Sequence, residues 1–313
     1  MSQMFSNERR NLCLKMQRLF RHPAPKTARM VPPNAGIEAW YARNLKALVR
    51  QMATATEREV KAAFRDYLDG GLAQDAKPGG SLDAAWARIL EAIFGRMSAR
   101  LNEAAGLFAS RLGRRVAGYT SKNVTAALKE AGFIVNMRLS ARETVVISDI
   151  IRENVELLFK GPKSLSKQYF ERVRDAVGES VAKGRDLAGL TKALTETKEI
   201  TLRRAELIAR DQNNKATEAL TRTRYQELGL NRAIWRHMRI SRIFRPTHMA
   251  MNGQEFDLNE GMFDPDPKVS RNILPAELPN CRCQYRIILP RLTPSNEPAS
   301  GATSAITVLE RAA

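Results

Sequence analysis

Chemistry in this sequence is concentrated between Trp235 and Cys283. Two thiols, Cys281 and Cys283, stand two positions apart, and two of the three histidines, His237 and His248, precede them. Two thiolates and the His248 imidazole, with His237 as the fourth donor, make a ligand set for a tetrahedral zinc ion. The spacing argues the other way, because structural zinc sites use Cys-x2-4-Cys knuckles and Cys-x-Cys in a strand puts both sulfurs on one face. The alternative is a structural lock, in which His248 hydrogen-bonds across the segment and the cysteines pack as small buried residues. A third reading makes Cys281 or Cys283 a nucleophile activated by His248, with Asn280 orienting the imidazole. With only three cysteines and three histidines in 313 residues, that pairing carries little weight. Glu255, Asp257, Glu260, Asp264 and Asp266 are scattered through a loop and read as solvated, or as a divalent-cation site. No glycine-rich phosphate loop is present, so phosphoryl chemistry has no support. The chain therefore reads as non-enzymatic, with no cofactor beyond a structural zinc.

Charge supplies a second kind of chemistry. The chain carries 51 Lys+Arg against 33 Asp+Glu, a net charge of +18 and a pI of about 10.3, which points to an acidic partner. Met1–Val31 holds seven basic residues and one acid and reads as a basic arm in which Arg9, Arg10 and Arg18 are free for phosphate or partner contact. Arg203, Arg210 and Arg224 fall at multiples of about 3.5 residues and form one helical stripe, continued by Arg239 beyond it. Glu206, Glu218 and Glu227 are the acids nearest in sequence for pairing with these arginines. Aromatic residues are 6%, which argues against single-strand binding by base stacking. Phosphate contact is favoured over base reading.

The elements that position these groups are mostly helical. Asn34 caps a stripe from Ile37 to Tyr67 that Gly70-Gly71 ends, and a second stripe runs from Trp86 to Leu112. Further helices are expected around Arg114–Ala131, Ser140–Phe159 and Ser164–Ala182, over Leu187–Thr197 behind Asp186, and over Thr201–Leu228, closed by Gly229. Strands are expected at Ala233–Ile240 and Cys283–Leu289, with some forty Pro-, Asn-, Asp- and Gly-rich residues between them. The fold class is mainly α: an elongated helical N-terminal region, then a smaller α+β C-terminal module with a few short strands and a long loop. The expected divisions are a basic arm at 1–31, a helical domain at 32–160, an α+β domain at 161–290 and a polar tail at 291–313. No apolar run is long enough to span a membrane, no signal-peptide core is visible near the start, and three cysteines fit a reducing cytoplasm.

Arg245-Pro-Thr-His248-Met-Ala-Met-Asn252-Gly253-Gln-Glu-Phe256, followed by Pro279-Asn280-Cys281-Arg282-Cys283, resembles the C-terminal signature of the phage Mu protein F-like head morphogenesis family. Ile208-Ala209-Arg210 with Asn213 and Asn214, then Gly229 and Trp235, extends the resemblance upstream. Where that family often continues Ala-Arg with Thr-Glu, this chain has Asp211-Gln212. Pro33-Asn34-Ala35-Gly36-Ile37-Glu38-Ala39 is similar to the start of some of these proteins. The resemblance implies a minor head protein inside the virion of a tailed phage, near the portal vertex, assembled in the host cytoplasm. The partners it implies are the portal protein and the major capsid or scaffolding protein. Packaged double-stranded DNA then becomes the acid that the charge calls for, and no membrane is involved. The rival readings are a sequence-independent nucleic-acid-binding protein of non-viral origin and a phage-delivered Cys/His hydrolase.

Overall fold

The computed structural model of the chain describes residues 26–69, 81–135, 139–183, 186–238, 244–290 and 306–308. The body is built from α1 (Ala35–Asp69), α2 (Ser81–Glu130), α3 (Ala141–Val155), α4 (Leu165–Ala182) and α5 (Leu187–Glu227). Their starts are set by short side chains that accept from the first free amides. Asn34 Oδ1 accepts from the Ile37 amide at 3.0 Å, and Asp186 Oδ1 accepts from the Gly189 amide at 2.8 Å. Ser140 and Glu143 form a reciprocal capping box on α3. That helix ends in a widened π turn, Glu156–Lys160, which Gly161 stops. Gly229, at φ +72°, ends α5, and the Leu230 amide reaches back to the Tyr225 carbonyl at 2.8 Å.

Two expected helix pairs are single helices. Arg114–Ala131 continues the Trp86–Leu112 stripe within one 50-residue helix, because Val116, Ala117 and Val124 keep the same buried face through Gly113. Gly113 serves close packing there: a Cβ would meet Ile147 Cγ2 of α3 at 3.0 Å. Likewise Leu187–Thr197 and Thr201–Leu228 merge into the 41-residue α5. Thr197 and Thr201, which bound the expected gap, are buried in the helix, and Thr201 Oγ1 donates to the Thr197 carbonyl at 2.7 Å.

Two apolar clusters hold the helices together. One joins Met52, Phe64, Trp86, Phe94, Tyr169, Phe170 and Leu190. The other joins Tyr41, Leu45, Leu112, Ile150, Leu158, Ala209 and Leu220. Helices from both sides of residue 160 share both clusters, and α5 packs on α1, α2, α3 and α4. Among the described residues no helix is long and apolar enough to cross a membrane.

The smaller module sits on the C-terminal end of α5. Its centre is an antiparallel sheet of β2 (Arg232–Arg236) between β3 (Glu255–Asp257) and β6 (Gln284–Ile287), with Trp235 opposite Tyr285 and Ala233 opposite Phe256. A hairpin of β4 (Met262–Asp264) and β5 (Arg271–Ile273) and the single-turn helix α6 (Pro246–Ala250) fill the expected forty-residue loop. That stretch is therefore not structureless. Its strands are three residues each, too short to show an alternation in sequence. Trp235, fully buried, Phe256, Tyr285 and Ile287 form the module's core with Leu128 and Phe133 from outside it.

Residues 26–31, expected as the end of the basic arm, lie on this module. Ala28 and Val31 are buried, the Ala28 amide donates to Ile287, and the Leu289 amide donates to the Lys26 carbonyl at 2.8 Å. Within the expected tail, β7 (Ile306–Val308) pairs antiparallel with β1 (Phe133–Val135), a strand the helical patterning concealed.

Candidate functional site

The end of β2, the short helix α6 and the irregular segment before β6 bring His237, His248, Cys281 and Cys283 together. Asn280, at φ +58°, turns the chain just ahead of the cysteines. Cys281 and Cys283 are thus outside the regular strand, and both sulfurs reach one imidazole nitrogen. His248 Nδ1 lies 3.4 Å from Cys281 Sγ and 3.6 Å from Cys283 Sγ. His237 Nδ1 lies 3.5 Å from Cys283 Sγ. Cys281, Cys283 and His248 are buried, and His237 is half-buried. Both sulfurs do lie on one face, as Cys-x-Cys spacing implies, and that face meets the His248 imidazole.

The other side of the imidazole is fixed by Asp264, whose Oδ2 stands 3.2 Å from His248 Nε2. Asp264 is fully buried, contrary to the expectation of a solvated acid. Burial pushes its pKa up, but the Asp266 amide, the Thr247 hydroxyl and His248 more than offset this and hold it below the ordinary value. With Nε2–H donating to that carboxylate, Nδ1 carries its lone pair toward the two sulfurs. The imidazole nitrogen away from the sulfurs is held by Asp264, while the Asn280 backbone N–H donates to Asp211 Oδ1 at 2.6 Å. A hydrogen bond shared with Cys283 pulls the Cys281 thiol below the ordinary range, while the same bond, with burial, pushes Cys283 up. The Trp235 indole N–H is buried without a hydrogen-bond partner among the described residues, and the ring packs edge-on against His248 at 5.7 Å.

Helix α5 anchors the cysteine segment. Asn214 Nδ2 donates to the Cys281 carbonyl, and Asp211, raised by burial against the pull of Lys215, holds the Asn280 amide. Asp211, the departure from the family pattern, therefore has a defined role. The remaining signature residues tie the same turns. Arg245 Nη2 donates to the Pro279 carbonyl at 3.1 Å, and Asn252 Oδ1 accepts from the His237 amide at 3.0 Å. Gly253, at φ +87°, sits in the tight turn that the Gln254 amide closes on the Met251 carbonyl at 3.0 Å, and its own N–H donates to the Trp235 carbonyl at 2.9 Å. Arg282, half-buried, joins Arg210, Glu38, Asn280 and Pro33 along an open cleft beside the centre.

Of the expected arginine stripe, Arg224 is buried and paired with Glu143, Arg210 is half-buried and pairs with Glu38 at 3.0 Å, and Arg203 is exposed. Of the acids expected to pair with arginines, Glu206 binds Lys46, Glu218 is buried near Arg222, and Glu227 accepts from the Ser140 hydroxyl. Arg9, Arg10, Arg18 and Arg239 lie outside the described residues.

These features define a class: a helical body whose last long helix carries a small α+β module organised around a buried cysteine–histidine centre. Residues 171–286, which contain that centre whole, match the family described as "Phage Mu protein F like protein", so the module is Mu F-like, as the sequence signature indicated. That family points to phage head morphogenesis. A relative in Haemophilus influenzae, described as an uncharacterized protein, is 29% identical over 255 residues, which are 79% of this chain. The chain spans about half of that relative's length, 52%. No solved structure matches the chain.

Proposed function

We propose that this protein is a minor head protein of a tailed phage, held inside the capsid at the portal vertex and acting in head assembly without catalysis. The observation that carries the reading is the family match over 171–286, because it covers the centre and the side chains that hold it, Asp211, Asn214, Arg245, Asn252 and Asp264. The net charge of +18 supports contact with packaged DNA through phosphates. The portal protein and the capsid or scaffolding protein are the proposed protein partners. Since Arg210 and Arg224 serve internal ion pairs, the DNA-facing charge in this reading lies on exposed groups such as Arg203 and on the basic N-terminal segment.

Mass spectrometry of purified virions tests it. The chain is expected in a few copies per particle and at the portal vertex in an asymmetric map of the head. Its absence from particles would refute the assignment whatever its affinity for DNA, and would favour a nucleic-acid-binding protein with no place in the virion.

A further inference from the structure

We infer that His248, Cys281 and Cys283 supply three ligands of a structural zinc site that pins the module's long connection, with His237, beside Cys283, as the nearest fourth donor. The inference stands on side-chain geometry alone and does not depend on the head-protein reading. A tetrahedral ion with Zn–S of about 2.3 Å and Zn–N of about 2.0–2.1 Å sets its sulfur and nitrogen ligands about 3.6 Å apart. The three sulfur–nitrogen separations in the cluster, 3.4, 3.5 and 3.6 Å, all lie at that edge length. Cys281, Cys283 and His248 also place one donor atom each within 4.8 Å of one another, and His237 lies outside that group, next to Cys283. Such a cluster is arranged around a point, whereas a hydrogen-bonded pair needs only a line.

Two further features fit an ion. Asp264 takes the far nitrogen of His248, the carboxylate–histidine arrangement that orients a ligand and raises its basicity. Thiolate and imidazole donors together suit zinc among the common divalent ions. His248, Cys281 and Cys283 are buried, and with His237 in the fourth position no coordination site would be left for water or substrate, so the site is structural. The nucleophile reading fails on the same facts: the Cys281 sulfur is buried and faces a second thiol on the same nitrogen. The ion would tie the end of β2 to the segment before β6, joining residues 46 apart, with His248 of α6 pinned between them.

The test uses the untagged full chain, expressed with added zinc and purified without chelator. About one zinc per chain is expected by elemental analysis, unchanged in Cys13→Ser. Zinc-free protein titrated with Co²⁺ should develop the visible and sulfur-to-metal bands of a tetrahedral two-sulfur site. A mercurial reagent added to folded wild-type protein should release zinc in step with two thiols, which avoids any variant that fails to fold. Asp264→Asn keeps every sulfur and imidazole donor and should weaken zinc affinity about 10- to 100-fold in a competition with a chromophoric chelator. Less than half an equivalent of zinc together with a cobalt spectrum of aqueous octahedral type would overturn the inference. So would a Cys281–Cys283 disulfide in freshly prepared reduced extracts, or alkylation of Cys281 with zinc retained.

Discussion

Glu218 is the residue whose burial leaves it most exposed to pH. It is buried in α5, one carboxylate oxygen has no hydrogen-bond partner, and burial raises its pKa well above the ordinary value despite nearby Arg222. An acid raised in the folded state contributes stability below the unfolded pKa, about 4.5, and that contribution is lost as pH rises through the folded value. Glu218→Gln removes the titration. The variant should gain stability relative to wild type as pH goes from 5 to 8, read from urea unfolding at both values, and a gap that does not widen would contradict the burial argument. At this scale the sequence exposed residue types and little about their surroundings. His248, Cys281 and Cys283 stood out because such residues are rare in the chain. Asp264 did not, since one aspartate among five acids in a polar stretch has no local mark of burial; only its position against His248 separates it from Asp257, which caps its own turn at the Asn259 amide.

The helices depend on one another through ion pairs and caps as well as apolar faces. Glu143 closes the capping box of α3 and also meets Arg224 of α5, with side-chain exposures of 1% and 6%. Removing one partner of such a pair strands the other charge in the interior. Glu143→Gln should cost about 3–5 kcal/mol in chemical denaturation. The double change Glu143→Leu with Arg224→Met should recover most of that, because it removes both desolvated charges; equal losses in the single and double variants would mean the pair is incidental. Element ends were legible: Asn34, Ser140 and Asp186 sit at the helix starts, and Gly229 closes α5, since caps act within three residues. Element continuity was harder to read. Gly113 and the Thr197–Thr201 stretch look like breaks locally, and packing against Ile147 and within α5 overrides them. Strands of three residues, such as β1, β4 and β5, carry too few positions for a period to register.

For the whole molecule, the net charge of +18 predicts how it should meet DNA. Affinity for double-stranded DNA should be sequence-independent and fall linearly in log salt, with a slope of about −0.9 per phosphate neutralised. Because Arg210 and Arg224 are engaged with Glu38 and Glu143, Arg203→Ala should reduce that slope while the paired change Glu143→Leu with Arg224→Met leaves it unchanged. A salt-independent affinity would remove DNA as the acidic partner. By itself the sequence determined the α-rich class, most helix ends, the Mu F-like signature and the donor types of the cysteine–histidine centre. Each of these is written in residues a few positions apart or in an ordered motif. Only the tertiary structure decided which charges are spent internally, that Asp264 orients His248, and that a Cys-x-Cys pair turns both sulfurs to one nitrogen. The contacts responsible join Glu38 to Arg210 across 172 residues, Glu143 to Arg224 across 81 and Asn214 to Cys281 across 67. Periodicity cannot report pairings at such separations, because they are fixed by how the helices pack and not by any local preference of the chain.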